Sequence, residues 1–207
     1  MSTRQKEIIP EFLWHLDEVV LAFQTTIVTT VDKDGRVNAA PFGLVYPFST
    51  GANPQLLVGV NSRWHTAHNI EATGEFVVNY ASFSMLEQVA QTGLLYDEGV
   101  NEIDKAGLTA LPSLKVKPPR IAECYQHIEC RLNHIIRPNE NQMNCIGDII
   151  SISLNEELIG KSKLERVKAS DPLFLLGMDI TTFTGFYGGI NKTASYAPPK
   201  VHVWEDK

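Results

Sequence analysis

A chain of 207 residues, 43% hydrophobic and 20% charged, has the size and composition of one large globular domain or of a domain with a long appendage. Its net charge of −6 argues against a surface for polyanions, and therefore against a nucleic-acid partner. No apolar run is long enough to span a membrane, and the first residues lack an apolar signal core, so we expect a cytoplasmic protein without membrane contact.

The first predicted strands form a hairpin. Leu21 to Val31 is rich in β-branched residues, which are typical of a strand. Asp32 to Gly35 has the composition of a turn, with a glycine available for positive φ, and Arg36 to Phe42 returns as the second strand. Because proline donates no backbone hydrogen bond, Pro41 and Pro47 restrict this part of the chain to an irregular or edge segment.

A strand–helix–strand unit follows. Two short apolar runs, Leu56 to Val60 and Glu75 to Tyr80, read as strands, since they are rich in branched and aromatic residues. The segment between them predicts a turn into a short helix, with Asn61 or Ser62 as its cap and Gly74 as its end.

Two side chains near the start of this helix have the chemistry of a phosphate site. Arg63 supplies a guanidinium, and the segment from Arg63 to Thr66 lies where a helix offers free backbone N–H groups and the positive end of its dipole. The alternative is an ordinary connection with Arg63 in solvent, and the segment taken alone favours that alternative. His65 and His68 lie three residues apart without an evident third ligand, so we expect no metal site.

The middle of the chain combines two short helices with a long connection. Ser84 to Gln91 is predicted as a helix with Ser84 as its cap, because a glutamate follows three residues later. Tyr96 to Pro119 is predicted to be mostly loop, with a short helix at Glu102 to Lys105. A connection of this length is uncommon in a compact domain and often has a function.

Alternation then predicts a long strand or a bent pair of strands from Ile121 to Ile136, with one buried face and one exposed or partner-facing face. Its even positions are mainly apolar, and its odd positions, among them His127 and Glu129, are mainly polar. Arg137 to Asn144 reads as a polar loop, and Ile146 to Leu154 as another strand. The three cysteines form no CxxC pair, so disulfides and zinc are not expected, and we interpret them as core thiols: Cys124, Cys130 and Cys145.

Five or more mostly consecutive strands with few helices indicate a closed or nearly closed antiparallel barrel. The chain lacks a βαβ alternation, and it contains no GxGxxG turn, no GxxxxGK[ST] loop and no GxSxG elbow. These absences disfavour Rossmann-type nucleotide binding and serine hydrolase chemistry.

The order of short segments along the chain resembles a known family. The segments are Thr29–Asp32, Val37–Gly43, Asn61–Arg63, Thr66–Ile70, Gly74–Asn79, Ala106–Leu108, Pro119–Glu123, Ile128–Cys130 and Gly147–Ile150. Together they resemble the flavin reductase-like family of FMN-binding split barrels, from about Phe23 to about Leu154. The resemblance implies a mainly β fold: a Greek-key antiparallel split β-barrel with a few peripheral helices. It also implies a homodimer, and one domain over residues 1–207, with the barrel at about 21–155 and a C-terminal extension at 156–207.

The resemblance also implies an FMN site near the subunit interface. The residues that contact the flavin edge through backbone and amide groups are then Asn38, Ala39, Ala40, Pro41 and Phe42. Small side chains at Ala39, Ala40 and Gly43 let the ring approach the backbone. The phosphate contacts Arg63 and Thr66. Asn61 and Asn69 support the loop that binds the phosphate. An alternative role for Asn69 is only to fix the start of the helix.

The function that the resemblance implies is an NAD(P)H-dependent flavin reductase. Hydride passes from NAD(P)H as co-substrate to FMN, or to FAD, and a partner oxygenase is one recipient of the reduced flavin. No catalytic side chain is assigned, because the cofactor carries this chemistry. Three alternatives remain open: an FMN-holding electron carrier without nicotinamide turnover, a pyridoxamine phosphate oxidase-like oxidase, and a split barrel that has lost flavin and only dimerises. The oxidase requires a second anion site, for which Lys115, Lys117 and Arg120 are candidates.

Overall fold

The computed structural model describes residues 7–10, 13–97, 99–179, 181–182 and 184–193. The strands within these ranges are β1 Phe23–Gln24, β2 Thr26–Val31, β3 Val37–Phe42, β4 Val45–Ser49, β5 Gln55–Asn61, β6 Glu75–Tyr80, β7 Ala110–Leu111, β8 Arg120–Ile121, β9 Gln126–Asn139, β10 Gln142–Leu154, β11 Phe174–Asp179 and β12 Thr184–Gly188. The helices are α1 Trp14–Asp17, α2 His65–Thr73, α3 Leu86–Thr92, α4 Glu102–Lys105 and α5 Lys163–Ser170. The predicted mainly β fold with few helices is confirmed.

The main sheet has seven strands in the order β3-β2-β6-β9-β10-β5-β4, and every neighbouring pair is antiparallel. Its two edge strands, β3 and β4, are consecutive in sequence and are separated by Gly43 and Leu44 alone. The two edges of the sheet must therefore approach each other, and the sheet curls into the predicted split barrel.

The two barrel prolines lie on these edge strands. Pro41 is in β3, where it pairs in register with Ile27, and Pro47 is in β4, opposite Leu56. The prediction that both prolines restrict the chain to edge segments is therefore confirmed.

Two apolar cores flank the sheet. The first lies inside the curl, with Phe76 and Ile70 among its fully buried side chains. The second lies on the other face of β2 and β3, beneath α3 and α4, and includes Ile27 and Ile103. The predicted core thiols are confirmed, because Cys124, Cys130 and Cys145 are all buried and unbonded.

Smaller elements complete the described chain. The strands β1, β11 and β12 form a second antiparallel sheet, and β7 pairs with β8. The predicted strand Leu21 to Val31 is consequently divided, because β1 joins the second sheet and β2 the main one. None of the described helices has both the length and the apolarity that crossing a bilayer requires.

Several local predictions are confirmed. Gly35 has a φ of 85° in the turn between β2 and β3, and Gly74 ends α2 with a φ of 72°. The helix α4 spans the predicted Glu102 to Lys105. The prediction that Ser84 caps α3 is wrong, because a 3-10 turn, Phe83–Met85, precedes the helix and the hydroxyl of Ser84 contacts that of Ser82.

The predicted alternation along β9 is wrong in two respects. His127 and Glu129 are 4% and 1% exposed, because the connection between α4 and β8 covers their face of the sheet. Further on, register shifts between β9 and β10 reverse the parity, so Ile135 packs against the core and Ile136 is 41% exposed. The predicted polar loop at 137–144 is also wrong, since only Glu140 and Asn141 separate the two strands.

Candidate functional site

A groove of about 350 Å³ lies along the free edge of β3. One wall is β3 itself, residues 38–42, and the second is the start of α2, residues 63–66. The third wall is the chain that follows α3, residues 92–96, together with Glu102. We call this the β3 groove. It brings together all the predicted cofactor residues except Asn61 and Asn69.

The wall formed by β3 offers backbone oxygens. The N–H group of Ala39 points away from β2 and donates to Oε2 of Glu102 at 3.0 Å. Because alternate residues of a strand point to the same edge, the carbonyl groups of Ala39 and Pro41 both face outward, while Pro41 has no N–H. The side chain of Ala39 is fully buried in the second core, whereas Ala40 and Pro41 are half-buried at the groove.

Two residues expected near the ring, Phe42 and Gly43, also make packing contacts outside the groove. Phe42 is 5% exposed in the first core, and its ring centroid lies 5.8 Å from that of Trp64. A Cβ on Gly43 would lie 3.0 Å from Cβ of Phe23, so the missing side chain serves a packing contact there and does not open the groove. The groove accordingly depends on Ala40 and Pro41 for close approach to the strand.

The start of α2 has open backbone donors. Its N-cap is Trp64, which makes no side-chain cap hydrogen bond, so the cap predicted at Asn61 or Ser62 is wrong. Asn61 instead accepts from the N–H of Arg63 at 3.0 Å, and Ser62 donates to the carbonyl of Glu140. The first N–H groups of an α-helix have no intrahelical acceptor. At α2 the residues of this first turn, from 63 to 66, line the groove, and the side chain of Arg63 is exposed.

A chain of polar side chains ties α2 to the sheet. The amide of Asn38 donates to the hydroxyls of Thr66 at 3.0 Å and Thr30 at 3.2 Å. Asn69 donates to the same hydroxyl of Thr30 at 3.1 Å, and it lines a smaller neighbouring cavity. Thr66 is 1% exposed, and a hydroxyl that accepts one hydrogen bond still has its own proton to donate. These bonds fix the open end of α2 beside β3.

The third wall was not predicted residue by residue. Gly93 packs on β3, because a Cβ there would lie 3.0 Å from Cγ of Pro41. Leu94 and Leu95 are exposed at the lip of the groove, and Tyr96 also lines it. Glu102 lies on α4, about sixty residues from β3 in sequence. The length of the connection that begins at Tyr96 pointed to Tyr96 and Glu102, but not to the residues before them.

Charge in the β3 groove is sparse. Apart from histidine, the charged residues that line it within the described ranges are Arg63 and Glu102. The ion pairs within the described ranges do not include Arg63. No group of three metal-ligating side chains occurs in the part of the chain that the structure describes.

A second polar group, which we call the anchor cluster, consists of Arg120, His127, Glu129 and Ser153. The carboxylate of Glu129 accepts from the backbone N–H groups of Leu114 at 2.8 Å and of the next residue at 2.6 Å. Arg120 lies 3.8 Å from that carboxylate and donates to Ser153. The cluster therefore attaches the connection after α4 to β9.

The imidazole of His127 is buried in this cluster. Its Nε2 lies 2.8 Å from the carbonyl of Ile121, which only accepts, so Nε2 carries a proton, and Nδ1 lies 3.2 Å from the hydroxyl of Ser153. Burial lowers the pKa of His127 below its ordinary value, and the positive charge of Arg120 lowers it further, against an opposing hydrogen bond to Ile121 and the charge of Glu129.

The cations proposed for a second anion site do not reach the β3 groove. Lys115 and Lys117 are exposed, and Arg120 is engaged in the anchor cluster. None of the three lines the groove.

A family model described as a flavin reductase like domain matches residues 20–174 of the chain. The chain belongs to the flavin reductase-like family. Component B of nitrilotriacetate monooxygenase from Bacillus cereus has a similar structure, with a TM-score of 0.82 and 21% identity over 94% of this chain and 100% of that one. Flavoredoxin of Desulfovibrio vulgaris gives a TM-score of 0.77 and 20% identity, over 94% and 97%. A flavin reductase-type split-barrel protein of Shewanella frigidimarina gives 0.74 and 22%, over 86% of both chains.

Membership in the flavin reductase-like family confirms the predicted resemblance and places the chain among flavin-binding oxidoreductases. The three solved structures are all below 25% identical, so they establish the shared fold. Residues 20–174 include every wall of the β3 groove.

Proposed function

We propose that this protein binds FMN in the β3 groove and reduces it with NAD(P)H. The proposal rests on one observation, namely that three features occur together in one groove. An unpaired strand edge offers carbonyl oxygens, a helix start offers free N–H groups, and Arg63 offers a guanidinium without a protein partner among the described ion pairs. A planar ring with a phosphate at the end of a flexible chain matches these features.

The groove suits this ligand in size and chemistry. Its volume of about 350 Å³ lies within the range of about 300–1,000 Å³ that is usual for small-molecule sites. Under the proposal, Arg63 and the open N–H groups of α2 hold the phosphate, and Thr66 adds a hydroxyl donor. Asn61 holds the turn that presents Arg63, and Asn69 holds α2 against β2.

The remaining walls hold the ring. The outward carbonyl groups of Ala39 and Pro41 accept from the imide N–H of the flavin, and Ala40 leaves room for the ring beside the strand. Leu94 and Leu95 cover the ring and reduce the access of water. FAD is accommodated only if its adenylate extends out of the open end of the groove.

When bound, flavin supplies the acceptor for a hydride from the nicotinamide. The chain needs no acid–base pair for this reaction, because it contributes binding, orientation and partial exclusion of water. The sequence identified no catalytic side chain.

The wider setting of the reaction belongs to the same proposal. The structural likeness to a monooxygenase component B supports delivery of reduced flavin to an oxygenase partner. We also propose a cytoplasmic homodimer of one flavin-binding domain over residues 1–207. Tyr46 and Phe48, which are exposed on the edge strand β4, support a subunit contact. Sedimentation equilibrium tests the dimer.

Purified protein tests the central proposal. We expect FMN to bind with a change in its visible spectrum, and NADH or NADPH to be consumed when FMN is present. A protein that binds FMN but does not oxidise either nicotinamide is the electron carrier, and the reductase is then excluded. A protein that does not bind FMN at millimolar concentration contradicts the whole proposal.

A further inference from the structure

The position of Glu102 beside β3 is fixed from two directions. Its Oε2 accepts from the N–H of Ala39 at 3.0 Å. The helix that carries it, α4, is capped by Asn101, whose side chain accepts from the N–H of Ile103. The side chain of Ile103 is fully buried in the second core. Because cap and core both hold α4, the carboxylate remains at the edge of β3.

The two charges of the β3 groove lie on different walls. Arg63 is at the start of α2, and Glu102 lies over the edge of β3. Under the proposed function the phosphate lies at Arg63 and the ring lies along β3. Glu102 is therefore the charged group next to the ring, and the half-buried position of its side chain limits screening by water.

We propose that Glu102 makes this site bind oxidised flavin more tightly than reduced flavin, an inference that rests on the proposed function. Transfer of one hydride, that is two electrons and one proton, from the nicotinamide to the neutral ring leaves the ring with one negative charge. A fixed carboxylate repels the charged ring and leaves the neutral ring unaffected. Glu102 thereby favours departure of the reduced product, which suits a flavin that is passed to a second protein.

The matched variant is Glu102→Gln. Its amide oxygen can still accept from Ala39, so the shape of the wall is kept and only the charge is removed. The control is Asp104→Asn, which removes the same charge from the exposed side of the same helix, away from the groove. Circular dichroism and thermal unfolding establish that each variant is folded.

The measurement is the ratio of two dissociation constants, for chemically reduced FMN under anaerobic conditions and for oxidised FMN. We expect wild-type protein to bind oxidised FMN more tightly. Glu102→Gln is expected to lower the ratio on the order of tenfold, which equals a rise of about 30 mV in the midpoint potential of bound flavin for a two-electron couple. Asp104→Asn is expected to leave the ratio unchanged.

Every other outcome contradicts the inference, and the outcomes differ in whether the proposed function also fails. Wild-type protein that binds reduced FMN as tightly as oxidised FMN overturns it without any variant. An unchanged ratio in Glu102→Gln, or an equal change in Asp104→Asn, overturns the role of this carboxylate and leaves the proposed function intact. Failure of wild-type protein to bind either form of FMN overturns both.

Discussion

The anchor cluster and the β3 groove contain similar charged side chains, but those of the cluster bind one another and those of the groove are open to a ligand. In the anchor cluster, Glu129 accepts from two backbone N–H groups and lies beside Arg120, and it is 1% exposed. In the groove, Arg63 is exposed and the start of α2 has no side-chain cap. Charges that satisfy one another hold the chain together, whereas charges and donors left open are available to a ligand. The comparison predicts that mutations in the two regions have separable effects.

The largest expected effect is on stability, at Glu129. Glu129→Ala removes the acceptor for two backbone N–H groups and takes the neighbouring carboxylate away from the half-buried Arg120, which keeps its hydrogen bond to Ser153. Because two backbone N–H groups lose their acceptor, we expect the free energy of unfolding to fall by about 2–4 kcal/mol. Urea denaturation followed by circular dichroism measures this loss.

The control for Glu129 is Glu123→Ala. The carboxylate of Glu123 also accepts a backbone N–H, that of Thr109, but it is exposed. A loss of about 1 kcal/mol is expected there. Equal losses at both positions would mean that burial does not distinguish the anchor cluster from ordinary surface contacts.

The next largest effect is on ligand binding, at Arg63. Arg63→Ala removes a charge-assisted hydrogen bond to the phosphate, so FMN binding should weaken by about 1.5–3 kcal/mol, while the free energy of unfolding changes little. Fluorescence titration of FMN measures the first quantity and urea denaturation the second. The control is Arg137→Ala, whose guanidinium pairs with Glu71 outside the groove. An FMN affinity in Arg63→Ala equal to that of wild type would remove Arg63 from the site.

The smallest effect is the pH dependence of the anchor cluster. The pKa of His127 in the folded protein lies below its ordinary value of 6.5, chiefly because the ring is buried. The unfolded chain therefore takes up a proton first as the pH falls, so this residue lowers the free energy of unfolding progressively below pH 6.5 and has no such effect above it.

Urea denaturation between pH 8 and pH 5 tests this dependence. His127→Gln keeps one donor and one acceptor but cannot ionise, so the decline in stability below about pH 6.5 should be smaller than in wild type. Parallel curves for the two proteins would show that His127 does not contribute.

Local features of the fold were predictable because their causes are local. Gly35 and Gly74 occupy positive φ in a turn and a helix end, and the composition of 102–105 suffices for a short helix. The alternation along β9 failed because it depends on partners that are distant in sequence. Register shifts against β10 reverse the parity, and a covering segment buries His127 and Glu129.

The residues of the candidate site were predictable only where they belong to sequence segments typical of the family. Asn38 to Phe42, Arg63 and Thr66 occur in the ordered segments of the family, and they line one groove. Gly93 to Tyr96 and Glu102 reach the groove from a connection without periodic pattern, so no local signal marks their positions. The contact between Glu102 and Ala39 spans sixty-three residues of sequence and follows from the packing of α4 on β3.

The prolines on β3 and β4 limit one kind of contact between molecules, the pairing of edge strands. Although two residues join β3 to β4, the outer edges of these strands have no partner strand in the described main sheet. Such edges can pair with strands of other molecules. Pro41 and Pro47 each remove one amide donor from an edge strand, so a strand of another molecule that paired there would lack a hydrogen bond at that position. Proline keeps its backbone carbonyl group, so a small ligand can still donate a hydrogen bond to these edges.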